Sequence, residues 1–402
     1  MLRRNCLIAA AAATVSLAAT SAALGDVKVG FLGGFTGPIE SLTPPIFEAA
    51  KLAASHVNEQ GGLLDGQKIE VPSADTGCSD ATMSVNGADR LVNSEQVVAI
   101  VGALCSGATI AAANNVTIPA GVVTVSPAST SPAITELDDN DVVFRTTSSD
   151  AYQGEVLARA LRRNGIDEIA ITYVNNDYGK GLADAVGNAF EAEGGTVAAK
   201  EAHEDGKADY RPEIGSLAAT GAETLVVLAY VDGSGQTILR QAIEAGAFKR
   251  FAGADGMVGD ALIAAGGEGN LEGMILTRPG TPEIPGSEIY RKLATDAGLD
   301  PDATFAAQSY DAAFLLALAI EKNGSADREG LAAALREVAT APGEVILPGE
   351  WEKAKKLIAE GQDINYEGAT GSLEFDDKGD VPGSIEELLI EGSEFKVLGL
   401  AE

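Results

Sequence analysis

Short apolar runs alternate with segments whose apolar residues recur every three or four positions. The short runs are typical of buried strands, and the longer spaced patterns are typical of amphipathic helices. Up to residue 147 the predicted strands are residues 27–32, 68–74, 97–101, 122–126 and 142–147. Helices are predicted between them, at residues 44–59, 80–93 and 107–116. Strands that alternate with helices in this order predict parallel βαβ units.

The same pattern restarts after residue 147. A helix at residues 150–164 precedes a second series of strands, at residues 168–174, 196–200, 224–230, 250–253 and 273–277. The two halves share no detectable sequence repeat. Two consecutive series nevertheless predict an α/β fold of two doubly wound parallel-sheet lobes, and the length of the chain agrees with two domains.

The last third of the chain is less regular. Two long helices, residues 303–323 and 327–339, are followed by residues 342–371, which contain few apolar residues and are interpreted as a surface excursion. Closing strands are predicted at residues 373–375, 385–390 and 395–398. The acidic stretch from Phe375 to Asp380 indicates a turn; a calcium loop is the alternative, although the glycine and terminal glutamate of an EF-hand are missing.

The N-terminus has the features of a secretory signal peptide. Arg3 and Arg4 precede an apolar stretch, residues 7–19, and small residues follow, so residues 1–25 are predicted to be removed by cleavage near Ala23 to Gly25. A retained membrane anchor is the alternative, but the stretch is short and rich in alanine. We therefore expect a soluble protein that is exported.

Charge and cysteine content narrow the possible functions. A formal net charge of −31 excludes binding of nucleic acid or anionic lipid through a basic patch. Loss of Cys6 with the signal peptide leaves Cys78 and Cys105, which an oxidising compartment favours as a disulfide; two buried free thiols are the alternative. No phosphate loop, G-x-S-x-G elbow or H-E-x-x-H motif is present, so we expect no enzyme activity, cofactor or metal.

Polar residues follow several of the predicted strands, where parallel α/β sheets bind ligands. Ser106 stands between a strand and a helix, a position that favours a small anion such as a carboxylate. The other candidates at strand ends are Ala128, Ser129, Thr130, Tyr178, Tyr230 and Asp255. Because they come from both lobes, they predict a cleft. Each also has a purely structural interpretation: Ser106 and Asp255 as helix caps, residues 127–132 as a turn, and the tyrosines as packing.

Several stretches of the chain, in this order, resemble the type I periplasmic solute-binding proteins of ABC importers, specifically the leucine/isoleucine/valine-binding (branched-chain amino acid) family. The matching stretches are residues 27–30, 36–38, 58–62, 102–106, 126–130, 144–147, 176–181 and 236–242. They cover nearly the whole chain after the predicted signal peptide.

The resemblance implies two lobes joined by a hinge with three crossovers. The N-terminal lobe would be residues 26–147 plus 278–375, and the C-terminal lobe residues 148–277 plus 376–402. Ser106 and Thr130 would hold the carboxylate of an amino acid, and the Ala128 carbonyl and Asp255 would hold its ammonium group. The resemblance further implies that Tyr178 and Tyr230 cover the ligand. The family's cysteine pair corresponds to Cys78 and Cys105, which supports the disulfide.

Two departures from the family bear on the ligand. Asp255 stands where the family usually has glutamate, and Leu42 stands where it often has an aromatic residue. Selectivity is therefore expected to depend on Leu42, Tyr152, Tyr178, Tyr230 and Asp255. The resemblance implies a monomer that binds a branched-chain or other aliphatic amino acid by lobe closure and delivers it to an inner-membrane ABC permease. A small amide, a urea-like compound or an aromatic carboxylate is an alternative ligand. A ligand-sensing regulatory subunit and a secreted hydrolase are alternative functions.

Overall fold

The structure is a computed structural model that describes residues 25–267 and 269–401. The predicted signal peptide therefore lies outside the described residues, except for Gly25. The strands are β1 (Val27–Gly33), β2 (Ile69–Glu70), β3 (Ser73–Asp75), β4 (Ala99–Gly102), β5 (Val123–Ser126), β6 (Val143–Arg145), β7 (Glu168–Val174), β8 (Thr196–His203), β9 (Thr224–Leu228), β10 (Arg250–Gly253), β11 (Ile275–Pro279), β12 (Glu344–Ile346), β13 (Ile364–Gly368), β14 (Gly371–Ser372), β15 (Ile385–Glu391) and β16 (Glu394–Leu400).

The helices connect these strands and cover both faces of the sheets. They are α1 (Thr43–Glu59), α2 (Ala81–Asp89), α3 (Ser106–Ala112), α4 (Ile118–Ala120), α5 (Pro132–Thr135), α6 (Asp150–Arg163), α7 (Asp177–Ala192), α8 (Arg211–Ala218), α9 (Gln236–Ala245), α10 (Asp260–Gly266), α11 (Pro285–Asp296), α12 (Ala306–Asn323), α13 (Leu331–Ala339) and α14 (Trp351–Ala359). A π-helical turn, Ala113–Thr117, joins α3 to α4, so the two form one continuous helical run.

The first lobe is built on a parallel sheet with the strand order β2-β1-β4-β5-β6, and β3 also pairs with β1. The sequence pattern predicts a single strand at residues 68–74, but the structure divides it into β2 and β3 around Pro72. Proline has no backbone N–H to donate to a neighbouring strand, which accounts for the interruption. The Pro72 carbonyl still accepts a hydrogen bond from the backbone N–H of Phe31.

The second lobe repeats this strand order. Its parallel strands run β8-β7-β9-β10-β11, and the antiparallel β15 and β16 extend the sheet beyond β11. In each lobe the strand order reverses beside the first strand, between β1 and β4 and between β7 and β9. Loops at such reversal points form ligand crevices in open α/β sheets. The α/β fold with two doubly wound lobes is confirmed, and the chain passes between the lobes three times, before α6, after β11 and before β15.

The segment at residues 342–371 is part of the core, so its interpretation as a surface excursion is wrong. It forms a small sheet, β12-β13-β14, and the helix α14. The Trp351 ring is fully buried and its Nε1 donates to the Gly62 carbonyl at 3.2 Å. The buried Asp311 carboxylate of α12 accepts hydrogen bonds from Tyr366, Ala369 and Thr370. A few large aromatic side chains bury more area than the low apolar count of the segment suggests.

The acidic stretch after Phe375 is a turn, in agreement with the simpler of its two interpretations, and the predicted strand at residues 373–375 is absent. Asp376 Oδ1 accepts the backbone N–H groups of Lys378 and Asp380. Asp380 pairs with the fully buried Arg145 guanidinium, with Nε 2.6 Å from Oδ1. Donor groups of the protein itself occupy both carboxylates. These hydrogen bonds and the ion pair hold the third connection between the lobes in place.

Only glycine fits at position 102, the end of β4. Its φ is +121°, and a Cβ atom there would lie 2.3 Å from the Leu32 carbonyl oxygen. We expect Gly102→Ala to lower the free energy of unfolding by about 3 kcal/mol or more, because strand β1 cannot move away without breaking the sheet. Urea denaturation measures this, with Gly121→Ala as the matched control. Gly121 has a φ of +60° and nothing within 4 Å of a Cβ, so only the backbone penalty of about 1–2 kcal/mol remains. Equal losses in both variants would contradict the steric argument.

Candidate ligand-binding cleft

Residues of both lobes line a small cavity at the reversal points of the two sheets. One end is polar and the other is apolar. Its lining residues are Ile39, Leu42, Ile46, Leu104, Cys105, Ser106, Ala128, Tyr178, Tyr230, Asp255, Gly256 and Phe305.

Ser106 is the first residue of α3 and lies at the polar end of the cavity. The first N–H groups of a helix have no acceptor within the helix, and its dipole favours negative charge there. Ser106 Oγ also accepts the backbone N–H of Ser131 at 3.2 Å. The preceding Cys105 is joined to Cys78 in a disulfide with a Cα–Cα distance of 5.3 Å. The loop before α3 is therefore tied covalently to the segment after β3, in agreement with the predicted pairing.

Arg145 positions the loop that follows β5. Its Nη1 donates to the carbonyls of Thr130 and Ser131, both at 3.0 Å. Ser129 braces the same loop from within: its hydroxyl shares a hydrogen bond of 2.7 Å with Thr109. These buried hydrogen bonds fix the loop, and the loop places Ala128 at the wall of the cavity that faces the second lobe.

Asp255 is the acidic residue that lines the cavity. It follows β10 and is only 3% exposed. Its Oδ1 accepts hydrogen bonds from Gln153 Nε2 at 2.8 Å and from the Tyr178 hydroxyl at 3.1 Å. Burial raises the pKa of Asp255 to about 6, against the opposing effect of these hydrogen bonds. The rings of Tyr178 and Tyr230 stack at a centroid distance of 5.0 Å and cover this side of the cavity.

Asp150 is a second buried carboxylate beside Asp255, and the sequence analysis missed it. Burial raises the pKa of Asp150 well above its ordinary value, and the negative charge of Asp255 raises it further. Among the described residues, neither oxygen of Asp150 nor Oε1 of Gln153 has a partner at hydrogen-bond distance, although the Thr130 hydroxyl lies near enough to Asp150 to oppose the rise in its pKa. Buried acceptors without partners are costly, and a ligand with several N–H donors would satisfy them.

The opposite end of the cavity is apolar. Ile39, Leu42 and Ile46 come from the start of α1 and the loop before it, and Phe305 comes from the residue before α12. Phe305 was not predicted as a site residue. It has a φ of +66°, a conformation that bulky residues rarely adopt and that is concentrated at functional sites. A sequence pattern gives no signal for this conformation, because glycine is the residue usually found there.

Six of the predicted site residues line the cavity together: Leu42, Ser106, Ala128, Tyr178, Tyr230 and Asp255. Ser129, Thr130 and Tyr152 do not line it. The backbone carbonyls of Ser129 and Thr130 accept hydrogen bonds from Arg145 in the first lobe. Tyr152 is half-buried on α6, whereas Asp150 and Gln153, three positions apart, share the buried face of that helix. The helix therefore presents Asp150 and Gln153, and not Tyr152, toward Asp255.

No helix among residues 25–267 and 269–401 is long and apolar enough to cross a membrane.

Curated relatives match almost the whole chain. A leucine-, isoleucine-, valine-, threonine- and alanine-binding protein of Pseudomonas aeruginosa is 30% identical over 377 residues, which cover 92% of this chain and 91% of the relative. A Leu/Ile/Val-binding protein of Escherichia coli is 28% identical over 375 residues, 92% of this chain and 93% of that protein.

Solved structures agree with the sequence relatives. The crystal structure of a leucine-binding protein from Thermotoga maritima superposes with a TM-score of 0.79 at 25% identity, covering 94% of this chain and 99% of that one. The pattern of the periplasmic binding protein family matches residues 26–357. The match spans every residue that lines the cavity and the parallel strands of both lobes. The chain belongs to the periplasmic binding protein family.

Proposed function

We propose that the protein is exported to the periplasm, binds an aliphatic α-amino acid between its lobes and delivers it, chemically unchanged, to an ABC permease of the inner membrane. The observation that carries this proposal is the division of the cavity into two ends. A helix start and the buried Asp255 carboxylate, whose charge acts on the neighbouring buried Asp150, form one end, and aliphatic and aromatic side chains form the other. An α-amino acid with an apolar side chain has the same division.

The polar end suits a zwitterion. A buried charge needs an opposite charge and hydrogen bonds to leave water. The start of α3 and the Ser106 hydroxyl offer donors to a carboxylate. Asp255 and Asp150 offer acceptors to an ammonium group, which has three N–H donors. A carboxylic acid without the ammonium group would leave the carboxylate pair without partners.

The apolar end suits an unbranched or branched aliphatic side chain. Ile39, Leu42, Ile46, Leu104 and Phe305 offer no charged or hydroxyl group there. The names of the relatives from Pseudomonas aeruginosa and Escherichia coli both include leucine, isoleucine and valine, and the first adds threonine and alanine; they support an amino acid with a small or aliphatic side chain. Leu42 in place of an aromatic residue leaves more room than the family usually has, which favours the larger of these side chains.

Isothermal titration calorimetry with L-leucine, L-isoleucine, L-valine, L-lysine, 4-methylpentanoate and benzoate tests the proposal. 4-Methylpentanoate is leucine without its ammonium group, so it is the matched control for the carboxylate pair. We expect micromolar or tighter binding of the aliphatic amino acids and no binding of 4-methylpentanoate. A saturating ligand at 100 times its Kd also raises the free energy of unfolding by about 2.7 kcal/mol. Binding of benzoate or an amide, but of no aliphatic amino acid, would overturn the ligand assignment.

The affinity for leucine should depend on pH through Asp255. An ammonium ligand pairs with the ionised carboxylate, so binding requires the deprotonated form, and protonation competes with the ligand. With the pKa of Asp255 raised to about 6, protonation of Asp255 should weaken binding as the pH falls through about 6, by about tenfold per pH unit below that value. Calorimetry at pH 8, 7, 6 and 5 measures this. An affinity that is unchanged at pH 5 would show that no buried carboxylate holds the ammonium group.

A further inference from the structure

Outside the cavity, side-chain hydrogen bonds join the two lobes at two places. The Ser131 hydroxyl donates to the Asp177 carbonyl at 2.9 Å, and Ser41 meets Asp232 at the mouth of the cleft. Asp232 Oδ2, in the loop after β9, accepts the backbone N–H of Ser41 at 2.8 Å and the Ser41 hydroxyl at 2.6 Å. Ser41 belongs to the first lobe and lies just before α1. The backbone N–H of Asp232 donates in return to the Pro38 carbonyl at 3.2 Å. None of these three residues lines the cavity.

The loop that carries Asp232 is held rigidly by its own lobe. The backbone N–H of Ser234 donates to Asp205 Oδ1 at 2.6 Å, and the Ser234 hydroxyl contacts the buried His203 Nε2 at 2.9 Å. Burial lowers the pKa of His203 to about 4, so this contact keeps a neutral imidazole throughout the neutral range. A loop fixed in this way loses little conformational freedom when it meets the other lobe.

Gly233 allows the loop after β9 to come close to Pro38 of the first lobe. A Cβ atom at this position would lie 2.8 Å from Pro38 Cβ and 2.6 Å from Asp205 Oδ1. The Pro38 contact exists only while the lobes are together, so any larger residue at position 233 would act as a wedge between them. Two features of this contact therefore require closed lobes: the hydrogen bonds between Ser41 and Asp232, and the close fit of Gly233 against Pro38.

We propose that Ser41 and Asp232 form a latch that stabilises the closed arrangement of the lobes without touching the ligand. The latch rests on the proposed function, because it acts on the closure that traps an amino acid. A contact made only in the closed state raises the closed fraction, and the apparent affinity of a ligand that needs closure rises with that fraction. A carboxylate that accepts two hydrogen bonds is among the stronger contacts available for this purpose.

The dissociation rate of leucine, measured by stopped-flow fluorescence, tests the latch. Asp232→Ala should raise the dissociation rate about tenfold and leave the association rate within about twofold, because the latch forms after the ligand enters. Asp209→Ala is the matched control: it removes an exposed aspartate of the same lobe whose side chain contacts Arg211. An unchanged dissociation rate in Asp232→Ala, or the same change in Asp209→Ala, would overturn the latch.

Two further measurements separate the latch from the proposed function. In small-angle X-ray scattering without ligand, Asp232→Ala should have a larger radius of gyration than the unmutated protein, whatever the ligand is. In scattering with saturating leucine, Gly233→Ala should stay more extended than the unmutated protein. Equal radii of gyration in both comparisons would overturn the latch and leave the binding function intact. If the protein binds no amino acid but Asp232→Ala still increases the radius of gyration, only the proposed function is overturned.

Discussion

Replacing Asp255 by asparagine is expected to weaken leucine binding about a hundredfold or more and to leave the folded protein at least as stable as before. The substitution keeps an oxygen that can accept the hydrogen bonds from Gln153 and Tyr178. It removes the negative charge, and breaking one partner of a buried charge pair costs about 3–5 kcal/mol.

Stability should move in the opposite direction. The pKa of Asp255 is raised to about 6 from an ordinary value of 3.8. One pKa unit corresponds to 1.36 kcal/mol, so this ionised side chain lowers folding stability by up to about 3 kcal/mol at neutral pH. The wild-type protein loses this stability as the pH rises from about 4 to about 6, whereas the asparagine variant, which does not ionise, keeps it. Calorimetry and urea denaturation of the same samples measure both effects.

The half-buried Asp184 on α7 provides the charge-matched control, because its ion pairs among the described residues are with Lys180 and Lys200, and none of these three residues lines the cavity. Asp184→Asn should leave the affinity unchanged. If Asp255→Asn binds leucine as tightly as the unmutated protein, the ammonium group lies elsewhere. If it binds weakly only because it unfolds, the denaturation curve shows the loss of stability directly.

Removing the disulfide is expected to give the second large effect. The double variant Cys78→Ser/Cys105→Ser opens a loop whose ends are 27 residues apart in sequence. In the chain-entropy description, a cross-link over such a loop contributes about 3–4 kcal/mol by restricting the unfolded chain. Because Cys105 also precedes the helix start at Ser106, leucine affinity should fall as well.

Urea denaturation of the double variant measures the loss of stability. Each single serine variant is its control, since either one breaks the same bond and should lose nearly the same free energy. A double variant that unfolds at the same urea concentration as the unmutated protein would contradict this account. So would a loss that occurs in the double variant but in neither single variant.

Sequence periodicity was sufficient to predict most of the parallel strands and the helices between them. Apolar runs such as residues 97–101 and 224–230 are buried on both faces of their sheets, and continuous apolar runs are the signature of that environment. The strand ends followed from the same pattern. Ser106, Tyr178 and Asp255 could therefore be predicted to converge, because the carboxyl ends of parallel strands lie at one edge of each sheet.

The residues that escaped prediction depend on contacts that the pattern does not encode. Asp150 begins an amphipathic helix like any solvent-exposed N-terminal aspartate, and only the packing of α6 against the second sheet buries it beside Asp255. Phe305 lines the cavity through a left-handed backbone conformation. The segment around Trp351 contains few apolar residues, yet its aromatic rings pack against α12. In each case tertiary packing overrides the local signal.

A crystal structure of the protein grown with L-leucine tests the central claim most directly. We predict one leucine between the lobes, with its carboxylate at the start of α3 against Ser106. Its ammonium group should lie within hydrogen-bond distance of Asp255 and Asp150, and its side chain against Leu42 and Phe305. A leucine bound in the reverse orientation, or electron density for leucine only outside this cavity, would contradict the account.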